Sequence, residues 1–180
     1  MADADDKPRA GTRYRIRSFF LNAALFLVVF VVATTFMSRN MLPADGHAAP
    51  ALRGTTLAGH PYDLARAEGR PALVYFFAPW CKVCGASADN LARLSRWRGP
   101  DDIEIVAVAL DWATRNEVRD YAARHGLGLT VVLGDTTVRE SWQVQAYPSY
   151  YVLDSVHRIK RRDIGYSSQF GLWWRTWLLD

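Results

Sequence analysis

From Phe19 to Met37 the chain reads FFLNAALFLVVFVVATTFM, 19 residues without a charge. Beyond it the apolar residues fall into shorter units. ALVYFFA (Ala72 to Ala78) is a continuous apolar run, and IEIVAVAL (Ile103 to Leu110) is nearly so. Strands buried on both faces of a sheet have this pattern. LTVVL (Leu129 to Leu133) predicts a third strand. SYYVLD and HRIKRRDIG predict an antiparallel pair joined near Asp154 and Ser155, the second a charge-guarded edge strand. TTLAGHPYDL (Thr55 to Leu64) predicts a short hairpin around Ala58 and Gly59.

Between these runs the period changes to that of a helix. Val83, Ala86, Leu91, Leu94 and Trp97 predict a helix from Lys82 to Arg98, with Gly99-Pro100 as its stop. Thr114 and Glu117 have capping-box spacing, so a helix is expected over about 115–125, ending at Gly126. TVRE (Thr137 to Glu140) predicts the start of a short helix. Phe170, Trp173, Trp174 and Trp177 share a helical face, expected against the sheet. Strands alternating with helices, then a hairpin and a last helix, give an α/β sandwich with a mixed sheet. The sequence has no internal repeats or low-complexity segments.

The uncharged stretch changes the organisation. At about 1.5 Å per residue it spans most of a hydrocarbon core of about 30 Å. A cleaved signal peptide is the alternative, but its apolar core runs only about 7–15 residues. Lys7, Arg9, Arg13, Arg15 and Arg17 precede the stretch, and positive flanks stay in the cytoplasm. The expected order is a basic cytoplasmic tail over 1–18, one transmembrane anchor over 19–37, a linker over 38–54 and an exported domain over 55–180. In a Gram-negative bacterium the anchor would lie in the inner membrane and the domain in the periplasm, where disulfides persist. A net charge of +4 gives no nucleic-acid footprint.

Cys81 and Cys84 are the two cysteines of the chain, three positions apart, between a strand and a helix. Structural zinc needs four ligands, and His47, His60, His125 and His157 have no finger-like pairing. Haem attachment would need a histidine where Gly85 stands. Redox chemistry fits better. A sulfur at a helix N-terminus meets unpaired N–H groups and the positive end of the macrodipole, and Lys82 adds charge. A purely structural disulfide closing so small a loop would stabilise little.

ALVYFFAPWCKVC, followed at a distance by AYPSYYVLD, resembles the thioredoxin superfamily over about residues 52–180. The anchor and the extra helix and strand between Thr114 and Leu133 are similar to the membrane-tethered TlpA/ResA/CcmG branch. The ending GYSSQFGLWWRTWLL is similar to the suppressor-of-copper-sensitivity (ScsD) members. The resemblance implies a thioredoxin-like three-layer fold, with Cys81 attacking and Cys84 resolving. It also implies a cis-proline at Pro148, Tyr147 before it as the client-pairing position, and Trp80 on the rim. Where thioredoxin keeps a buried Asp stands Tyr75, and Lys82-Val83 replaces its Gly-Pro. Asp111, after a strand, is a candidate tuning acid; the alternative is a solvated loop residue.

These readings predict a membrane-tethered thiol–disulfide oxidoreductase that needs no cofactor, because the dithiol carries two electrons. Its expected partners are periplasmic thiol or disulfide proteins and a membrane redox partner. Copper tolerance is one expected context. A cytochrome c maturation reductase and a copper-binding module remain alternatives, the last because copper(I) favours thiolates.

Overall fold

The apolar runs become the middle of a seven-stranded sheet. The computed structural model describes residues 20–29, 32, 41–67 and 69–177. Residues 20–29 are helical (α1), and their large apolar side chains are exposed. The expected tail over 1–18, and the expected anchor over 19–37 apart from these residues and Val32, lie outside the described residues. Among the described residues no helix is long and apolar enough to cross a membrane. The chain divides into Met1–Phe36 and Met37–Asp180, and the sheet belongs to the second unit.

Its strands are β1 (Arg53–Thr56), β2 (Pro61–Asp63), β3 (Ala72–Phe77), β4 (Glu104–Ala109), β5 (Thr130–Leu133), β6 (Ser149–Leu153) and β7 (Ile159–Ile164). They lie in the order β2-β1-β5-β4-β3-β6-β7. β3, β4 and β5 run parallel; the other pairings are antiparallel. All six residues of β3 are buried, because both faces of the sheet are covered. Leu73, Tyr75 and Phe77 face a core with Leu91 and Leu94 of α2 (Lys82–Trp97), Val118 and Tyr121 of α3 (Arg115–Arg124), and Leu172 of α5 (Gln169–Trp177). Ala72, Val74 and Phe76 face a second core with Val138 of α4 (Thr136–Ser141), Trp142, Leu52 and Met41. This is the expected three-layer sandwich with a mixed sheet. Its topology brings the C-terminal ends of β3 and β4 beside the N-terminal end of β6, with Phe77 opposite Ala109 and Phe76 opposite Ser149.

Several details differ from the sequence reading. The segment expected as a linker over 38–54 joins the domain from Met41 onward. Met41 and Leu52 are buried, and the Ile159 N–H donates to the His47 carbonyl at 2.9 Å. Residues 46–48 thereby cover the start of edge strand β7, where charge alone was expected to guard it. α4 starts one residue earlier than expected, because Asp135 caps it by accepting from the Val138 N–H at 2.9 Å. Thr114 caps α3 as expected, but Glu117 reaches back to the Ala113 N–H instead of that of Thr114. The buried face of α2 is Cys84, Ala88, Leu91 and Leu94; Val83 and Trp97 are exposed. α5 buries Leu172 and Thr176, while Phe170, Trp174 and Trp177 are largely exposed. Of the aromatic stripe Trp173 alone, half-buried, packs against that core; Phe170, Trp174 and Trp177 do not, so most of the stripe faces away from the sheet.

Candidate active site

The Cys-x-x-Cys segment occupies the turn from β3 into α2. Cys81 is the N-cap of α2, in extended backbone conformation, and its N–H donates to the Ala78 carbonyl at 3.0 Å. Cys81 and Cys84 form a disulfide with Cα atoms 5.2 Å apart. Their environments differ. Cys81 is partly exposed and its Sγ accepts from the Cys84 N–H at 3.2 Å, whereas Cys84 is fully buried in the core. After reduction that N–H and the helix terminus would favour a thiolate on Cys81. Lys82 is exposed beside it.

Residues from two other loops complete the face. The Tyr147–Pro148 peptide bond is cis, and Pro148 is buried at the start of β6. Trp80 is 62% exposed and meets the ring of Tyr147 edge-on, with centroids 5.9 Å apart. The Trp80 indole N–H donates to the Asp111 carbonyl at 3.1 Å. The Tyr147 hydroxyl donates to the Asp111 carboxylate at 3.0 Å, and Arg139 donates to the other carboxylate oxygen at 3.4 Å. Burial, and then the bond to Asp111, push the Tyr147 phenol well above its ordinary range, so it stays a donor. The structure thus gathers Trp80, Cys81, Asp111, Tyr147 and Pro148, with Lys82 on the rim.

Beneath Cys84, Tyr75 takes the place of a buried acid. Its hydroxyl donates to the Cys84 carbonyl at 2.8 Å and lies 3.4 Å from the Tyr121 hydroxyl. Burial foremost, and Tyr121 next, hold the Tyr75 phenol far above the usual range, so it remains protonated. Tyr75 therefore fixes the backbone of Cys84; held protonated, it is not a base for the Cys84 thiol. His125 lies over this turn, bonded to Asp89 through Nδ1 at 2.9 Å. Sequence reading missed Arg139, Tyr121 and His125. Arg139 meets Asp111 across 28 positions and His125 meets Asp89 across 36, and no local spacing encodes such contacts.

The AhpC/TSA family model matches residues 46–162. The thioredoxin-like protein YneN of Bacillus subtilis is 26% identical over 151 residues, which cover 79% of this chain and 88% of that protein. A thioredoxin-family thiol:disulfide interchange protein from Chlorobium tepidum superposes with a TM-score of 0.69 at 19% identity, covering 77% of this chain and 99% of that one. A secreted Mycobacterium tuberculosis disulfide oxidoreductase, homologous to DsbE of E. coli, superposes at 0.63 with 22% identity over 71% and 96% of the two chains. The family match covers more than half of the sequence, and the chain belongs to the AhpC/TSA family, with a thioredoxin-like fold.

Proposed function

We propose that this thioredoxin-like protein-disulfide oxidoreductase works tethered to the bacterial inner membrane, its domain in the periplasm, with Cys81 attacking and Cys84 resolving. One observation carries the division of labour: Cys81 is partly exposed at the helix N-terminus, while Cys84 is buried beneath it. Acting as a reductant, the Cys81 thiolate attacks one sulfur of a client disulfide. The client bond breaks, its other sulfur leaves as a thiolate and takes a proton, and a mixed disulfide forms. Cys84 then loses its proton and attacks the Cys81 sulfur. The mixed disulfide breaks, the second client thiol departs, and two electrons have passed to the client. Acting as an oxidant, the pair runs the same steps in reverse. A reduction potential near about −270 mV marks the first direction and one near about −120 mV the second.

The tether is supported by the uncharged 19-residue stretch behind its basic flank and by the exposed apolar side chains of residues 20–29. Copper tolerance is the context suggested by the ScsD-like ending. Among the described residues no group of three or more His, Cys, Asp or Glu could hold a metal ion, so a copper(I) site there would have to use the reduced pair. Trapping tests the proposal. Cys84→Ser should accumulate mixed disulfides with periplasmic proteins and Cys81→Ser almost none, with alkaline phosphatase fused after residue 45 active in the same host. Equal trapping by the two variants overturns the assigned roles, and an inactive fusion overturns the topology. Apocytochromes c among the trapped proteins would identify the enzyme as a cytochrome maturation reductase.

A further inference from the structure

Four chain segments meet at Asp111: the rim before Cys81, the loop after β4, α4 and the cis-proline loop. Asp111 takes φ +49°, a left-handed conformation in which Asp and Asn are enriched. In that conformation the main chain accepts from the Trp80 indole at 3.1 Å while the carboxylate accepts from Tyr147 at 3.0 Å and Arg139 at 3.4 Å. The Asp111 and Arg139 side chains are 37% and 43% exposed, and pairs so wet contribute little to folding. Their effect lies in what they hold. Trp80 immediately precedes Cys81 and meets the ring of Tyr147 edge-on, and each ring would otherwise sample several rotamers that a client must freeze on binding.

We propose that Asp111 is a positioning residue, its carboxylate locking the Tyr147 ring against Trp80 so that the client groove is formed before a client arrives. This rests on reading the Cys81 and Tyr147 face as the client groove. Asp111 touches neither cysteine in this role and takes no part in electron transfer. Its loss therefore weakens client capture and leaves the exchange step alone.

The test uses the full chain with insulin as the disulfide client. Asp111→Gly is the informative variant, since glycine adopts φ +49° freely and keeps the carbonyl that Trp80 needs. KM for insulin should rise about fivefold, the size expected for one side chain left to be ordered on binding, with kcat and the reduction potential unchanged. Tyr147→Phe, which removes only the hydroxyl, should raise KM alike. Because Asp111 acts through Tyr147, the double variant should be no worse than either single one. An unmoved KM overturns the proposal, as does a shifted potential, a lower kcat, or a double variant whose losses multiply. Should Asp111→Gly fail to fold, Tyr147→Phe and Arg139→Gln decide by the same split. A wild-type chain that neither reduces insulin nor traps clients through Cys84→Ser overturns the groove itself and this inference with it. Turnover by wild type with an unmoved KM in the variants overturns this inference alone.

Discussion

Gly85 lies buried in the first turn of α2, under the ring of His125. A Cβ at that position would stand 2.7 Å from His125 Cε1. The ring has little room to yield, since Asp89 holds its Nδ1 at 2.9 Å and the Tyr121 ring lies 4.6 Å away. Alanine normally stabilises a helix interior over glycine by about 0.5–1 kcal/mol. Here the overlap should win, and Gly85→Ala should cost about 1–3 kcal/mol, the usual range for overpacking. Adding the same change to a His125→Ala background should instead be neutral or stabilising. Urea unfolding of the four proteins measures this, and a wild-type midpoint for Gly85→Ala alone would refute the contact. At this scale the sequence revealed Cys81 and Cys84, because their chemistry depends on a spacing of three positions and on a helix start. Trp80, Tyr147 and Pro148 became legible through family resemblance. The carboxylate contacts of Asp111 were hidden, because Tyr147 and Arg139 reach it only after two loops and α4 have folded together.

Elements whose apolar residues alternate or run on were readable, since one pattern admits one burial. β3 and β4 are the clear cases, filled on both faces. α5 shows where that logic stops. Phe170, Trp173, Trp174 and Trp177 form one stripe and Leu172 with Thr176 another, and hydropathy favours the larger rings. The smaller stripe is buried because Leu172 fits against the sheet and the Thr176 hydroxyl is satisfied by the Leu172 carbonyl at 3.1 Å. A stability difference follows. Leu172→Ala should cost about 2–4 kcal/mol, the range for a buried leucine. Phe170→Ser removes a ring that is 70% exposed and stacked only on its own helix. Its two ring pairs are worth at most about 1.5 kcal/mol each and less in water, so Phe170→Ser should cost less than Leu172→Ala. Denaturant midpoints of both variants check the order. If Phe170→Ser proves the more damaging, the aromatic stripe and not Leu172 anchors the helix.

Across the whole molecule, the sheet with parallel central strands followed from buried runs separated by helices, whereas the docking of residues 41–52 did not. That segment contains two prolines and no period, so Met41 and Leu52 enter the core as single anchors and not as a patterned face. The two cores on either face of the sheet contain buried tyrosines: Tyr75, Tyr121 and Tyr150 in the first, Tyr151 with Met41 and Leu52 in the second. Burial pushes Tyr121 and Tyr151 up to about 12, and Tyr75 and Tyr150 higher still. An unfolded chain releases its phenolic protons near pH 10. Raised folded values mean that this share of stability is intact below pH 10. It is lost as pH climbs through 10 toward 12 and beyond, where the unfolded state alone gains charge. Each buried phenol should steepen the fall by about 1.4 kcal/mol per pH unit. The oxidised chain should therefore show a flat urea midpoint from pH 7 to 9 and a steep decline from about pH 10. Tyr75→Phe is the discriminating variant. It forfeits the bond to the Cys84 carbonyl and so starts less stable, yet it carries one phenol fewer and should decline less steeply. Equal slopes for the two proteins would mean that the Tyr75 phenol ionises inside the folded domain.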